Sequence, residues 1–396
     1  MNRRIPLTTL VTVALIGSAA LGLAACTSAS APGATSTAAG GPARADDGAG
    51  QLQPRCPAPS TDRGLKNAAE ANQLVAATDL PEWQAADIGA SVRLSDGRIV
   101  WVFGDTLRQR LEPRIVANSM LITAGQCISQ LLPAAQGPVI PDIDQSTVYW
   151  PMSATVLRVG PEEDHLIVLA SRIRRGSSPY DFTFLGTSAA VFEVGSLGVP
   201  QLLRIDQVTP DDPSRNQVNW GAATVVHGDR LYVYGTKLTG EKLSFGRELH
   251  VARVPTADPG ARKRWQFWDG ERWQSDVGES AAVLPAVGGV SQTLSVDVVG
   301  DAFLAVSKRD GDLGNFVYTW TSPGPTGPWT PRRSIRAPAG FDTGALQYAP
   351  LAHPEVPLDS GELLVSISRN TTDLAALVDN PDLGRPRFAQ VPMPAH

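Results

Sequence analysis

The chain lacks the motifs that define several common enzyme classes. It contains three cysteines in 396 residues, with no CxxC pair and no Cys/His cluster, so a zinc site is not indicated. It has no Gly-rich phosphate cradle and no Gly-x-Ser-x-Gly elbow, the usual motifs of nucleotide binding and of serine hydrolases. The dense aspartate spacing of a calcium loop is also missing. The sequence therefore indicates no cofactor and assigns no metal ligand.

The chain has fewer basic than acidic residues, and it has few long hydrophobic runs. The formal net charge is −5, and loss of Arg3 and Arg4 with a cleaved leader would take it to −7. A mildly acidic surface argues against nucleic acid as a partner and is compatible with a neutral or cationic substrate. After the leader, no segment approaches the ~18 apolar residues of a membrane span.

Residues 1–25 are predicted to be a lipoprotein signal peptide. Asn2-Arg3-Arg4 forms a basic start, and an apolar stretch follows from residue 7 to residue 23. It ends in Leu23-Ala24-Ala25-Cys26, which resembles a bacterial lipobox, where the leader is cut before a cysteine that is then lipidated. The alternative is an ordinary secretory signal or a short anchor. We expect export and anchoring to the outer face of the cell membrane through Cys26.

The mature chain divides into a tether and a folded domain. Residues 26–54 are rich in Ala, Ser, Thr, Gly and Pro, cannot bury a core, and are predicted to be flexible. Residues 55–396 form the domain. Its two cysteines, Cys56 and Cys127, are expected to form one disulfide in an exported protein, and two free buried thiols are the alternative.

The domain is predicted to be all-β. It has few helix-like windows and many short Val, Ile, Leu, Tyr and Trp runs bounded by Gly, Pro, Asp and Asn. Five similar hairpins begin near residues 87, 150, 219, 290 and 347, and small residues open most of the first strands. Small residues suit the crowded inner strands of a propeller, so we predict a single five-bladed β-propeller. A sandwich and a jelly roll are the alternatives.

The first hairpin begins and ends on an aspartate. Its loop, Ser95-Asp96-Gly97, has the composition of a three-residue turn with glycine at the left-handed position. That turn pairs Leu94 with Arg98 and places Asp87 directly opposite Asp105, with Cβ atoms about 4.5–5.5 Å apart. A two-residue loop would send the two aspartates to opposite faces. We favour the three-residue turn, which makes a carboxylate pair.

The polar ends of the five hairpins should gather at one mouth of the central channel. Antiparallel pairing places the start of each inner strand beside the end of the second strand. Carboxylates, cations, amides and indoles around a funnel are what sugar recognition requires. For His353, a structural role near the ring closure is the alternative. The predicted substrate-binding residues are Trp150, Asn219, Trp220, Lys237, Gln292, Lys308, Tyr348, His353, Arg369 and Asn370.

Asp87 and Asp105 are the predicted catalytic residues. Glycoside hydrolysis needs one carboxylic acid to protonate the leaving oxygen and one carboxylate as base or nucleophile. Two carboxylates at short range keep one of them protonated. Inverting enzymes separate the two groups by roughly 6.5–9.5 Å, so splayed rotamers or a bulge at Gly104 would be needed. We assign Asp87 as general base and Asp105 as general acid, and the reverse stays open.

Several motifs together resemble actinobacterial proteins of domain of unknown function 4185. They are the first hairpin, Asn219-Trp220-Gly221-Ala222-Ala223, the segments 246–255 and 322–329, and Tyr348-Ala349 with Ala352-His353-Pro354-Glu355. Members of that group form glycoside hydrolase family 183, endo-D-arabinanases of mycobacterial cell walls. The resemblance implies a five-bladed propeller, catalytic aspartates at Asp87 and Asp105, and inverting hydrolysis of α-D-arabinofuranosyl linkages. Segments 130–148 and 174–183 depart from the family pattern.

The sequence therefore predicts a monomeric cell-envelope lipoprotein that hydrolyses a furanose polysaccharide. The expected substrate is the D-arabinan of arabinogalactan or lipoarabinomannan, and the expected partners are this polysaccharide and the membrane. The alternative is a non-catalytic glycan-binding or scaffolding propeller, since fold alone does not imply activity. The carboxylate pair discriminates the two, because a binder has no need of it.

Overall fold

The structure is a computed structural model that describes residues 50–58, 64–178, 181–242 and 244–394. The predicted leader, Cys26 and most of the predicted tether lie outside the described residues. All of the described residues belong to one compact unit, Asp46–His396. Within the described part of the chain, no helix is both long and apolar enough to cross a membrane.

Five antiparallel sheets follow one another along the described chain. They are blades 1 to 5 of a β-propeller, which confirms the predicted fold class. A buried apolar cluster lies between each blade and the next, including blades 5 and 1, so the ring is closed by side-chain packing. Small residues such as Ala86, Ala223 and Ala352 are buried on the inner strands, where the blades converge.

Blade 1 starts earlier in the chain than predicted. Its outermost strand, Gln51–Gln53, lies in the segment assigned to the tether, so the folded domain begins before residue 55. The predicted disulfide between Cys56 and Cys127 is confirmed and ties this start to the blade. In chain order the elements are β1 (Gln51–Gln53), α1 (Ala68–Ala77), β2 (Ala85–Arg93), β3 (Ile99–Leu107), β4 (Ile115–Val116), β5 (Ser119–Ala124) and β6 (Cys127–Leu132).

Blades 2 and 4 are four-stranded meanders, as the repeat predicts. The inner strand of blade 4 begins five residues later than the expected residue 290, because Val290 makes only an isolated bridge to Arg247. The strands of blade 2 are β7 (Thr147–Gly160), β8 (Glu163–Arg175), β9 (Phe182–Val194) and β10 (Gln201–Gln207). Those of blade 4 are β17 (Ser295–Val299), β18 (Ala302–Lys308), β19 (Phe316–Ser322) and β20 (Thr330–Arg336).

Blade 3 includes an outer hairpin, in which Trp268 pairs with Trp273 around an Asp-Gly turn. Its strands are β11 (Asn219–His227), β12 (Arg230–Lys237), β13 (Glu248–Pro255), β14 (Gln266–Trp268), β15 (Trp273–Gln274) and β16 (Ala282–Leu284). Its short 3₁₀ helices are Arg262–Arg264 and Val277–Glu279.

Blade 5 has three strands, and helix α1 lies where a fourth strand would pair. The Asn72 side chain donates to the carbonyl of Phe388 at 2.9 Å and accepts from its N–H at 2.8 Å, so the helix satisfies the free edge. An edge covered in this way cannot pair with another chain. The elements are β21 (Ala345–Ala352), β22 (Leu363–Thr371), α2 (Leu374–Asp379), a 3₁₀ helix (Pro381–Gly384) and β23 (Arg387–Val391).

Candidate active site

The mouth is the end of the channel where the inner strands begin. The ladder places Ala85 opposite Leu107 in blade 1 and Asn219 opposite Thr236 in blade 3, so inner-strand starts lie level with second-strand ends. In blade 5, Gln347 likewise pairs with Arg369. Polar residues at these positions therefore share one end of the propeller.

The first hairpin has the predicted turn. Leu94 N–H donates to the Arg98 carbonyl at 2.8 Å, Gly97 has φ +87°, and Arg93 pairs with Ile99. The same register returns at Ala86, which pairs with Thr106. The loop chemistry therefore sets the overall register that brings the two aspartates to the same level.

Between those levels the ladder is interrupted on both sides of Ile88. Ile88 pairs with Phe103 and Ala90 with Val102, so each strand has an extra residue in this segment. Ile88 adopts φ +67° and Gly89 φ +77°, a conformation that is rare for a β-branched residue. The Ile88 N–H donates to Ser368 Oγ of blade 5 at 2.9 Å, which anchors the bulge. Bulges beside active sites commonly redirect a side chain, here that of Asp87.

The same irregularity recurs at the mouth in three other blades. Register shifts follow Pro151 in blade 2, Trp220 in blade 3 and Tyr348 in blade 5. Each lies at or directly after a residue predicted for the site. The inner strands are therefore bent at the level where their side chains meet the channel mouth.

Asp87 lies in a tight, partly desolvated setting. Tyr348 Oη donates to its Oδ2 at 2.7 Å, and Asn370 Nδ2 donates to the same Tyr348 oxygen at 3.4 Å. A Cβ at position 104 would lie 2.4 Å from Asp87 Oδ1, so a larger residue there would displace the Asp87 carboxyl. Burial, followed by the charge of Asp105, raises the pKa of Asp87 to about 7, although the hydrogen bond from Tyr348 opposes this. Asp87 can therefore hold a proton near neutral pH.

Asp105 has a different set of partners. Trp150 Nε1 donates to its Oδ1 at 2.9 Å, and Arg175 Nη2 donates to the same oxygen at 2.5 Å. Burial raises the pKa of Asp105 above its usual value, although the Arg175 charge and the hydrogen bonds from Arg175 and Trp150 oppose this. The side chain is 33% exposed and its Oδ2 makes no hydrogen bond to a described residue. One oxygen of Asp105 is thus fixed and the other is open.

A third carboxyl, Asp142, lies close to this pair. Burial raises its pKa, the Arg175 charge lowers it, and the Asp105 charge raises it again. Asp142 belongs to the loop that enters blade 2. Together, Asp87, Asp105 and Asp142 make the blade 1–2 side of the mouth acidic, with Arg175 as the cation among them.

On the other side of the mouth, three of the predicted substrate-binding residues contact neighbouring protein groups. Lys237 lies 3.9 Å from Glu248, and Gln292 accepts a hydrogen bond from Arg247 at 3.1 Å. Lys308 is fully buried; its Nζ donates to the Gln347 carbonyl at 2.5 Å. Burial lowers the pKa of Lys308 to about 8. Lys308 therefore links blade 4 to blade 5. Of these three residues, Lys237 and Gln292 are partly exposed.

Besides Lys308, four predicted substrate-binding residues are placed where they have little or no access to the mouth. Trp220 is 2% exposed and packs on Phe267. Adjacent strand residues point to opposite faces of the sheet, so Trp220 and Asn219 cannot both point toward the mouth. Asn219 is itself buried and accepts from Ser171 Oγ at 3.3 Å. Arg369 turns outward and donates to the Asp382 carbonyl at 2.6 Å. His353 follows the end of β21, at the opposite end of the channel, and is fully buried.

Sequence reasoning missed Arg175, Asp142 and Phe182. Strand β8 continues to Arg175, three residues past Arg172. Arg172 is buried and paired with Asp211 at 2.7 Å. The run Arg172-Ile173-Arg174 still alternates polar and apolar residues, which is a signal that the strand continues toward Arg175. Asp142 lies in a loop and gave none.

The described residues contain no group of three or more His, Cys, Asp and Glu side chains arranged to hold a metal ion. The arrangement that remains is a pair of carboxyls on one hairpin with unlike partners. The pKa values of both carboxyls are raised, and of the two only Asp105 is bonded to a cation. Two carboxyls in unlike environments can serve as an acid and base pair.

These features can be compared with known proteins. A family model described as a domain of unknown function (DUF5005) matches residues 72–393. Because this range is most of the chain, the protein belongs to that family. No curated protein gives a significant match.

Solved structures share the fold. A candidate hydrolase from Bacteroides ovatus ATCC 8483 is 18% identical with a TM-score of 0.63, over 86% of this chain and 93% of that chain. A glycoside hydrolase family 43 arabinoxylan arabinofuranohydrolase from Bacillus subtilis is 13% identical with a TM-score of 0.50, over 78% of this chain and 64% of that one. At such identities the likeness is one of fold.

The family assignment corrects the resemblance stated from the motifs. The recognition as domain of unknown function 4185 and glycoside hydrolase family 183 was wrong, since the matching family is DUF5005. The quoted motifs are short, and several of them are inner-strand starts with small residues. Any five-bladed propeller with crowded inner strands requires such residues. The motifs therefore identified the fold but not the family.

Proposed function

We propose that this protein is a glycoside hydrolase in which Asp87 and Asp105 supply the acid and the base. The observation that carries the proposal is the unlike setting of the two carboxyls at one mouth. Asp87 has a pKa of about 7, whereas Asp105 is bonded to the Arg175 guanidinium. Glycosidic hydrolysis requires such a division between a proton donor and an ionised carboxylate.

The settings favour Asp87 as the general acid and Asp105 as the general base, the reverse of our first assignment. In this mechanism Asp87 transfers its proton to the leaving glycosidic oxygen as the C–O bond breaks. Water attacks the anomeric carbon and passes its proton to the free Oδ2 of Asp105. The reaction leaves Asp87 ionised and Asp105 protonated, and exchange with solvent restores both. This is an inverting single displacement.

The proposed substrate is a polysaccharide with furanose units. The fold shared with a protein named as an arabinoxylan arabinofuranohydrolase supports this choice, as do the indole and phenol beside the two carboxyls. Aromatic side chains pack against the C–H faces of sugar rings. The D-arabinan of arabinogalactan is one test substrate among several, because the family resemblance that suggested it is overturned.

We further propose that the protein acts as a monomer tethered to the cell envelope through lipidated Cys26. The lipobox-like segment before Cys26 supports this. Metabolic labelling with a palmitate analogue tests it: the natural chain should be labelled and remain with membranes, and a Cys26→Ser chain should be unlabelled. Equal labelling of both chains would contradict the anchor.

The activity is tested with residues 27–396, incubated with arabinogalactan, arabinan and arabinoxylan while released reducing ends are measured. Asp87→Asn and Asp105→Asn should each lower the rate by about 10²–10⁴-fold, the usual contribution of a general acid or base. Asp229→Asn is the matched control, since Asp229 is 82% exposed in the turn between β11 and β12. Full activity of both mouth variants would contradict the mechanism. Binding of a glycan without hydrolysis would favour the non-catalytic alternative.

A further inference from the structure

Phe182 is an exposed aromatic residue next to the carboxyl pair. It is 41% exposed and packs edge-on against Trp150, with ring centroids 4.8 Å apart. Trp150 in turn donates to Asp105. A single side chain therefore separates Phe182 from the carboxylate at which we place the reaction.

Local structure holds Phe182 in this position. It is the first residue of β9 and pairs with Arg175, the residue that binds Asp105. Gly176 N–H donates to the Asp181 carbonyl at 2.6 Å, which ties the residue before Phe182 to the end of β8. The Asp181 carboxylate also accepts from Ser177 N–H at 3.0 Å. The aromatic ring is thus presented from a strand end with fixed neighbours.

Exposed phenylalanines in the described chain are found only at the mouth end. They are Phe182, Phe245 and Phe341, of which Phe245 lies between β12 and β13 and Phe341 between β20 and β21. Large apolar side chains exposed around a polar cleft commonly mark a binding surface. Phe182 differs from the other two because it continues directly into the carboxyl pair through Trp150.

We propose that Trp150 and Phe182 form an aromatic platform for the sugar unit next to the one that is cleaved. This inference rests on the proposed function, which places the cleaved bond at Asp87 and Asp105. The C–H face of a furanose or pyranose ring packs on the exposed part of the platform. The substrate is therefore recognised over at least two consecutive units, which extend from the carboxyls across blade 2.

The binding test separates this platform from catalysis. It uses residues 27–396 carrying Asp87→Asn, with arabinan, arabinoxylan and arabinogalactan in affinity electrophoresis. Adding Phe182→Ala should weaken binding of whichever polysaccharide retards the Asp87→Asn chain, by roughly five- to twentyfold. This is the effect of losing part of one buried aromatic contact. Phe182→Tyr should restore binding, whereas Phe182→Leu, which keeps bulk but not a flat face, should not. Leu203→Ala is the control, since Leu203 is 47% exposed on β10, the outer strand of the same blade.

The kinetic test uses the otherwise natural chain 27–396. Phe182→Ala should raise KM for oligosaccharides of three or more units and leave the shape of the pH profile unchanged. A shifted pH profile would mean that Phe182 only supports Trp150 and Asp105, which would overturn the platform. Unchanged binding and KM with hydrolysis retained would overturn the platform alone. Binding that depends on Phe182 without hydrolysis by the natural chain would contradict the proposed function, while the aromatic contact with the glycan would stand. No binding of any glycan would overturn both.

Discussion

Two groups of carboxyls lie at opposite ends of the same channel and differ in their hydrogen-bond partners and in their exposure. At the mouth, Asp87 and Asp105 are partly exposed; Asp87 accepts a hydrogen bond from Tyr348, and Asp105 accepts from Trp150 and Arg175. At the other end, Asp297 lies near Glu355, and its buried Oδ2 has no partner among the described residues. In both groups, burial and a neighbouring carboxylate raise a pKa. A raised pKa by itself therefore does not define a catalytic group.

The contrast lies in the partners and in the space available. The far end has its own hydrogen-bonded group, in which Ser91 Oγ contacts His353 Nδ1 at 2.5 Å and donates to Glu355. The cavity beside Asp297 has a volume of only about 50 Å³, too small for a sugar unit. No arginine or lysine forms an ion pair with Asp297 or Glu355 in the described structure. At the mouth, one carboxyl is bonded to a cation and the other to a phenol, and the Asp105 side chain is 33% exposed.

Among changes to the partners of the two carboxyls, Arg175→Ala should have the largest effect, because it removes the feature that distinguishes the mouth from the far end. Without the guanidinium, the pKa of Asp105 rises further. Asp105 acts as base only when ionised, so the acidic limb of the pH–kcat/KM profile should move to higher pH. The rate at pH 6 should fall by about 10–100-fold, within the usual contribution of a general base.

Arg172→Ala is the comparison for this experiment, since Arg172 is bonded within blade 2 and to Asp211 rather than to Asp105. It should change thermal stability but leave the pH profile in place. If Arg175→Ala left the acidic limb where it was, the cation would have no role in keeping Asp105 ionised.

Tyr348→Phe should have a smaller effect and identifies which aspartate is the acid. The Tyr348 hydrogen bond lowers the pKa of Asp87, so its loss should raise that pKa above about 7. A general acid works only when protonated, so the alkaline limb should move to higher pH, with a loss in kcat of a few-fold. Movement of the acidic limb in its place would show that Asp87 is the base.

Asp297→Asn should leave activity unchanged and slightly increase stability. Burial raises the pKa of Asp297 well above its usual value. The folded state therefore binds this proton more tightly than the unfolded state, and the penalty grows as pH rises from the unfolded pKa toward the folded one. The Tm of the variant should exceed that of the natural chain by more at pH 8 than at pH 4. Each kcal/mol gained in the free energy of unfolding should raise Tm by about 2–4 °C. A loss of hydrolytic activity would remove the distinction between the two ends.

Much of the fold could be predicted from local rules. The Ser95-Asp96-Gly97 turn fixed the register of the first hairpin, and small residues at strand starts gave four of the five inner strands to within three residues. The single pair of cysteines after Cys26 identified the disulfide. Each of these depends on residues close in sequence or on a unique pairing, which a sequence displays directly.

The site was harder to predict because it depends on bulges and strand ends. Ile88 gives no sign of a left-handed backbone, and its conformation depends on Ser368, 280 residues away. Arg175 reaches the site because β8 extends to that residue, and its bond to Asp105 joins positions 70 residues apart. Asn219 and Trp220 were both placed at the mouth although adjacent strand residues face opposite ways. Tertiary contacts decide these details, whereas hydrophobic periodicity does not.

The titration of Asp87 tests the central claim most directly, since it needs no substrate. It is followed by NMR in a chain with ¹³C-labelled aspartate, with Asp87→Asn used to assign the signal. The account predicts a pKa of about 7 for Asp87, and a lower value in Asp105→Asn, because the Asp105 charge contributes to the shift. A pKa near 4 that Asp105→Asn leaves unchanged would contradict an acid and base pair at this mouth.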